Sequence, residues 1–228
     1  EIGALPEEDA ELFEANIDHT GELAFTVNGT GRRRVALEPK GTSFNVGLIP
    51  WGNYRWDIDL AQSIPLDLIV NIGSGSTLLD LERLSLSTLT LKGGSGDADV
   101  LLPQRQYAFR YNGGSGQLSL DITEGSQAAI TMDMGSGDAQ VVAGADADVE
   151  LTLDHGGSGD LRILVPRDTA MRVAVRQTGS GDVRLPNDVT SINGETGVWE
   201  SEGYATAAHH VNIAVSQLGS GDLIVTYR

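Results

Sequence analysis

Apolar and polar residues alternate in short blocks over most of the chain, and the blocks recur. Each block follows a glycine-rich tetrapeptide, and its apolar residues lie two, four and six positions after the second glycine. Because neighbouring side chains of a strand point to opposite faces, this pattern predicts a strand with one buried face. A second alternating block precedes each tetrapeptide, so we expect two strands per repeat. The column four residues after the second glycine contains Leu79, Val100, Leu120, Val141, Ile163, Leu185 and Val225.

The tetrapeptide is Gly-Ser-Gly-Asp in five copies, with two variants ending in Ser76 and Gln117. Its first glycines are separated by 21, 20, 21, 22, 22 and 40 residues, and a fixed period of this length is typical of a solenoid. We interpret the motif as a corner in which glycine supplies a positive φ, so that Gly137→Val should disrupt the fold. The predicted corner glycines are Gly73, Gly75, Gly94, Gly96, Gly114, Gly116, Gly135, Gly137, Gly157, Gly159, Gly179, Gly181, Gly219 and Gly221.

These patterns predict an all-β fold, a single parallel β-solenoid of coils of about 21 residues with two facing sheets. We assign residues 1–62 to an N-terminal cap region with short strands packed on the solenoid. Residues 63–228 form the solenoid, interrupted by an irregular capping excursion at 187–210. We expect the step of 40 residues to contain one irregular coil plus an excursion that covers an edge. Trp51, Tyr54 and Trp56 are expected to cover the open end of the stack.

The aspartates of the corner motif are the candidate site residues. Stacked about 4.8 Å apart in successive coils, their carboxylates would repel one another. Hydrogen bonds from backbone N–H groups or solvation could offset this repulsion, and a row of bound Ca²⁺ ions is the alternative. We therefore expect no cofactor, with Ca²⁺ as the open alternative at Asp97, Asp138, Asp160, Asp182 and Asp222.

Charge and composition limit the possible partners. The formal net charge of −17 argues against binding to nucleic acid or to anionic membrane surfaces. There is no cysteine, which excludes a disulfide or a thiolate metal site, and no apolar stretch is long enough to span a membrane. The first residue is Glu1, so we expect an export signal or anchor in a missing N-terminal segment, and an extracytoplasmic or cell-surface location.

Candidate catalytic chemistry is sparse. The four histidines show no zinc-ligand spacing, and the repeated Gly-Ser-Gly lacks the pattern of a nucleophile elbow. Three carboxylate pairs, Asp97/Asp99, Asp121/Glu124 and Asp146/Asp148, could serve a glycan-cleaving enzyme only if the fold brings them together. We therefore assign no catalytic residue.

Several segments resemble the toast-rack domain of bacterial envelope proteins. They are Pro65-Leu66-Asp67-Leu68 before Gly73-Ser74-Gly75, Leu79-Asp80-Leu81-Glu82-Arg83-Leu84, Leu89-Thr90-Leu91, Val100-Leu101-Leu102-Pro103, and Trp199, Tyr204, Ala207 and Ala208 before Val211-Asn212-Ile213. The resemblance covers residues 60–228 well and 1–59 loosely, and extends to adhesin-type solenoids and to cell-wall-active-antibiotic response proteins. It implies a non-catalytic surface or envelope module and supplies no catalytic residues.

Three functions remain open at this point. The first is a non-catalytic adhesion or binding module whose partner is a protein or a surface glycan. The second is a regulatory domain of an envelope-stress system that acts through protein–protein contact, and the third is a polysaccharide-active β-helix enzyme. Monomeric and dimeric states are both compatible with the sequence.

Overall fold

The computed structural model describes residues 1–19, 22–40, 55–192 and 197–228. Trp51 and Tyr54, predicted to cover the end of the stack, lie outside the described residues. The described strands, in chain order, are β1 (Ile2–Ala4), β2 (Phe13–Asp18), β3 (Glu22–Asn28), β4 (Arg34–Lys40), β5 (Arg55–Leu60), β6 (Leu66–Asn71), β7 (Thr77–Asp80), β8 (Leu86–Lys92), β9 (Ala98–Leu102), β10 (Gln106–Asn112), β11 (Leu118–Ile122), β12 (Gln127–Asp133), β13 (Ala139–Val142), β14 (Asp148–His155), β15 (Leu161–Val165), β16 (Ala170–Val175), β17 (Val183–Arg184), β18 (Thr190–Ser191), β19 (Val198–Glu200), β20 (His210–Val215) and β21 (Leu223–Tyr227).

Two sheets form the body of the solenoid, as the sequence predicts. We call the ten-stranded one sheet A, in the order β17-β21-β15-β13-β11-β9-β7-β1-β5-β2. The nine-stranded one is sheet B, in the order β18-β19-β16-β20-β14-β12-β10-β8-β6. Neighbouring coils pair in parallel, and the predicted aliphatic column is in register, since Leu79 pairs with Val100, which in turn pairs with Leu120. The all-β, parallel solenoid is therefore confirmed.

The core lies between the two sheets and is continuous along the stack. Leu79, Val100 and Leu120 of sheet A are fully buried and belong to the same apolar cluster as Phe109 of sheet B. At about 25 cal/mol per Å² of apolar surface, each such side chain stabilises the fold by about 1.5–3 kcal/mol relative to an exposed position. Because every coil repeats this arrangement, the stack holds its outward-facing side chains in straight rows.

The corner glycines are required for a reason different from the one expected. Among them only Gly179 and Gly219 have a positive φ, so the proposal that the corner as a whole needs a positive φ is wrong. The corners instead stack on one another, and a Cβ at Gly137 would lie 1.8 Å from the carbonyl oxygen of Gly116. The backbone of each corner also bonds to the previous one, as when Ser136 N–H donates to the Gly114 oxygen at 2.9 Å. At corners such as Gly137, glycine is needed because the neighbouring corner approaches too closely for any side chain, whereas at Gly73 and Gly75 a Cβ would meet nothing within 4 Å.

The last coil does not lie at the end of the stack, as a serial order would require. Strand β20 lies between β14 and β16, and β21 lies between β15 and β17. We call residues 210–227 the inserted coil, because they separate two coils that precede them in the chain. The turn at 166–169, which joins β15 to β16, consequently crosses two rungs of the stack. The last two motifs therefore stack in an order that differs from their order in the chain.

The N-terminal segment extends sheet A. β1 lies between β5 and β7, and β2 pairs antiparallel with β5 at the end of the sheet. β3 and β4 form a separate antiparallel hairpin whose Phe25 contacts Phe13, with ring centroids 5.7 Å apart. Residues 1–19 therefore contribute strands to the sheet.

The longer later repeats begin with a β-bulge in β14. Met132 pairs with Leu153 and Asp133 with His155, so Asp154 is the extra residue. The bulge keeps Leu153 fully buried in the core and gives the longer repeat its additional residue without moving the core register.

Candidate binding face

A shallow groove of about 390 Å³ crosses the outer face of sheet A. It lies where β9, β11, β13 and β15 begin, and two rows of side chains line it, one at the corners and one on the strands. The strand row is in register, because Asp99 pairs with Ser119, Ser119 with Gln140, and Gln140 with Arg162. The groove therefore presents one carboxylate, hydroxyl, amide or guanidinium group per coil, spaced by about 4.8 Å. We call this surface the groove face.

The corner row consists of Asp97, Gln117, Asp138 and Asp160, followed by Asp222 and Asp182. Asp97 Oδ1 accepts a hydrogen bond from the Gln117 N–H, and Asp138 Oδ1 accepts one from the Asp160 N–H, both at 2.8 Å. These bonds offset part of the repulsion between neighbouring carboxylates, because each places the positive end of an N–H dipole against a carboxylate oxygen. The corner aspartates thus hold successive coils together.

Hydrogen bonds of the same kind follow the spatial order of the later coils. Asp160 Oδ1 accepts from the Asp222 N–H, and Asp222 Oδ1 accepts from the Asp182 N–H, each at 2.9 Å. The aspartates therefore stack in the order 160, 222, 182, as the inserted coil requires. At the far end of the row, Arg184 lies 2.8 Å from Asp222 and 3.6 Å from Asp182 and partly neutralises both carboxylates.

The five aspartates considered for Ca²⁺ lie in one row, but four of them use one carboxylate oxygen as a backbone acceptor. Ca²⁺ takes six to eight oxygen ligands, and a stack of single carboxylates about 4.8 Å apart offers few to any one ion. Among the residues that the structure describes, no group of three or more His, Asp or Glu side chains is arranged to hold a metal.

The three carboxylate pairs of the sequence lie in different places. Asp97 and Asp99 both line the groove face. Burial raises the pKa of Asp121 above its usual value, Arg228 opposes this shift, and the charge of Asp99 adds to it. Asp148 lies on sheet B, where its carboxylate contacts His209 and accepts a hydrogen bond from the His210 N–H. Asp148 is therefore part of a different polar cluster.

That second cluster was not foreseen from the sequence. Tyr204, in a one-turn 3₁₀-helix, donates its hydroxyl to Asn212 at 2.6 Å, and its ring meets the His210 ring at 4.7 Å. Asn212 in turn donates to Glu150 at 2.6 Å. We call Asp148, Glu150, Tyr204, His209, His210 and Asn212 the latch cluster, because it attaches the start of the inserted coil to β14. The adjacent histidines were its only sequence signal, and they do not specify the partners.

No helix among the described residues is long and apolar enough to cross a membrane.

Comparisons with known proteins identify one family. Residues 5–121, just over half of the chain, match the family model of the N-terminal domain of toast_rack, DUF2154. The match includes much of the N-terminal segment that the sequence comparison covered only loosely, and it ends before the inserted coil. A crystal structure of a "putative cell adhesion protein" from Clostridium sporogenes superposes with a TM-score of 0.44 and 11% identity, covering 100% of this chain and 86% of that one. No curated protein matches the chain.

Proposed function

Because the chain belongs to the toast-rack family, we propose that it is a non-catalytic binding module of the bacterial envelope, and that the groove face is its binding surface. The observation that carries the proposal is the arrangement of the groove side chains in straight rows, one per coil. A catalytic site requires groups that converge on one reacting atom. Rows that run along the stack instead fit an extended partner that contacts several coils in turn.

The hydrogen bonds of the corner carboxylates support a binding role over acid–base catalysis. A general acid donates a proton to the bound substrate, and a general base accepts one from it, so the carboxylate oxygen that takes part must be free to reach the substrate. Asp97 and Asp138 each have one carboxylate oxygen engaged by a backbone N–H of the next coil. These side chains are therefore suited to fixed electrostatic contacts.

The chemistry of the strand row favours a protein partner. It combines Asp99, Ser119, Gln140 and Arg162, which can pair with peptide groups and side chains of either charge. No aromatic ring is among the residues that line the groove, so stacking against sugar rings is missing there. An extended protein segment is the partner that this surface fits best, and a glycan is the alternative outcome of the test.

The proposal can be tested by co-sedimentation of the protein with an isolated bacterial envelope fraction. Ser119→Arg with Gln140→Arg places two bulky side chains in the groove, and Ala129→Arg with Thr88→Arg adds the same charge to the outer face of sheet B. We expect the groove variant to lose most of its binding and the control to retain it. Protease treatment of the envelope should abolish binding, whereas periodate treatment would do so for a glycan.

Equal binding by the two variants would contradict the groove face as the binding surface. Turnover of envelope polysaccharides by the wild-type protein, lost in Asp99→Asn, would contradict the non-catalytic role. The proposal includes no bound metal, so the melting temperature should change little in millimolar Ca²⁺, and a large rise would overturn this part of it.

A further inference from the structure

The inserted coil fills a slot between two coils that come earlier in the chain. On one side are β14 and β15, and on the other are β16 and β17. The turn at 166–169 already connects these two coils across a gap that one coil fills, so it spans two rung spacings. The slot is thus built entirely by residues that precede the segment that fills it.

The inserted coil makes every contact that an internal coil makes. Its core residues Val211, Ile213, Leu223 and Val225 are almost fully buried. At the corner, Ser220 N–H donates to the Gly157 oxygen at 2.9 Å, and the Gly219 oxygen accepts from Ser180 N–H at 2.8 Å. None of these contacts depends on which copy of the chain supplies residues 210–227, because the slot recognises only their sequence and register.

We infer that the inserted coil can be exchanged between two copies of this chain, each copy filling the slot of the other to form a dimer. Exchange preserves the contacts of the monomer and changes mainly the path of the connecting segment, so that the balance depends on protein concentration. This inference is independent of the binding role of the groove face.

The segment that connects β19 to the inserted coil is long enough for exchange. β19 ends at Glu200, which pairs with Arg172, and β20 begins at His210, which pairs with Ala170 of the same strand β16. In the monomer, residues 201–209 therefore cross about two rungs, or roughly 10 Å. Fully extended, nine residues reach about 30 Å, enough to enter a second molecule that lies against the same end of the stack.

Exchange can take place during folding, while the slot is open. Residues 148–184 precede the inserted coil in synthesis, so the slot must stay open until the last coil arrives. An open slot exposes unpaired strand edges and apolar core, which are the features that recruit another chain. In the closed monomer the latch cluster attaches the first residues of the coil, since Asp148 contacts both His209 and His210.

Cysteine pairs can report the exchange directly, because the chain has no cysteine of its own. Arg162 and Ile224 are register neighbours on the outer face of sheet A. We would refold an equal mixture of Arg162→Cys and Ile224→Cys, carrying different tags, at about 100 μM. A disulfide between the two chains forms readily only if the coil of one occupies the slot of the other.

The control mixture pairs Ile224→Cys with Ser119→Cys, which lies in the same row as Arg162 but two rungs farther from the inserted coil. We expect about tenfold more linked dimer in the first mixture, because exchanged thiols meet at an effective concentration in the millimolar range. Refolded wild-type protein should also show a dimer by light scattering at high concentration.

Equal linking in the two mixtures, with monomeric wild-type protein at all concentrations, would overturn the inference. The double variant Arg162→Cys/Ile224→Cys in one chain should close an internal disulfide. Failure to do so would contradict the strand register on which the slot depends, and the inference with it.

Discussion

Replacement of Gly137 by alanine tests the stacking of the corners. The new Cβ would lie 1.8 Å from the Gly116 oxygen, 2.7 Å from the Gly116 carbonyl carbon and 2.9 Å from the Ser115 carbonyl carbon. Real Cβ atoms essentially never approach such atoms closer than 3.0 Å. All three neighbours are backbone, so no flexible side chain can move aside. The corner must shift by about 1.2 Å, a quarter of the rung spacing of about 4.8 Å.

The magnitude follows from the bonds that this shift breaks. Ser136 and Gly137 both donate to the Gly114 oxygen, at 2.9 and 3.2 Å. Each lost backbone bond costs about 0.5–1.5 kcal/mol, and strain in the adjacent coils adds to this. We expect Gly137→Ala to lower the free energy of unfolding by about 3 kcal/mol.

Gly75→Ala is the matched control. It occupies the same motif position in the first corner, its φ is not positive, and a Cβ there would meet nothing within 4 Å. A glycine-to-alanine change at a compatible position stabilises by about 0.4–1 kcal/mol, through the unfolded state. Denaturant titration followed by circular dichroism gives both values. Similar midpoints for the two variants would refute the stacking argument, and a large loss in Gly75→Ala would show that glycine is needed at the corner for another reason.

Three further predictions concern single side chains. Asp138→Ala removes the acceptor of the Asp160 N–H and should lower the free energy of unfolding by about 1 kcal/mol, measured by denaturant titration. Asp168→Ala, which changes an exposed aspartate of the other corner, should leave the free energy of unfolding nearly unchanged. The hydroxyl of Tyr107 is buried beside Ser126 without a well-formed hydrogen bond among the described residues, so Tyr107→Phe should leave stability unchanged or raise it by up to about 1 kcal/mol. The Ser126 hydroxyl donates to the Thr123 oxygen at 2.7 Å, so Ser126→Ala should lower stability. Burial, together with the Asp188 carboxylate that accepts a hydrogen bond from the Tyr227 hydroxyl at 2.9 Å, raises the pKa of Tyr227 to about 12. The unfolded chain therefore loses this proton at lower pH than the folded one, so wild type should lose more stability than Tyr227→Phe between pH 10 and 12; equal losses would contradict the shift.

The repeating part of the fold follows directly from the sequence. Leu79, Val100 and Leu120 recur at one spacing after the motif and pair in register in the structure. This succeeds because strand periodicity and repeat length are both local signals. The spacing of the longer repeats also shows that each contains one extra residue, but only the structure places that residue, as a bulge at Asp154.

The order of the last two coils could not be predicted. The motifs at Gly179 and Gly219 are identical, and either could stack on the corner at Gly157, since nothing local specifies which rung a coil occupies. The step of 40 residues shows that an additional segment lies between these two motifs, but it does not show which rung of the stack the following coil occupies. The choice is made by contacts distant in the chain, such as those between Asp148 and His209.

The role of the corner glycines was similarly hidden. A turn can require glycine because its backbone has a positive φ or because another segment of backbone approaches closely, and the sequence alone does not distinguish these two reasons. Only the position of the next coil distinguishes Gly137, which faces the Gly116 oxygen, from Gly75, which faces open space. The candidate binding face was predictable only in part, because the aspartate row is visible in the motif whereas its backbone partners belong to the neighbouring coil.

The position of the inserted coil is the central claim, and Arg162, Arg184 and Ile224 test it most directly. A disulfide requires Cα atoms closer than about 7 Å. With residues 210–227 in the slot, Ile224 pairs with both Arg162 and Arg184, which lie two rungs apart, or about 10 Å. Oxidation at low protein concentration should therefore close Arg162→Cys/Ile224→Cys and Arg184→Cys/Ile224→Cys within one chain and leave Arg162→Cys/Arg184→Cys open. Ready closure of the Arg162→Cys/Arg184→Cys pair, with failure of Arg162→Cys/Ile224→Cys, would show coils stacked in chain order and would contradict the account.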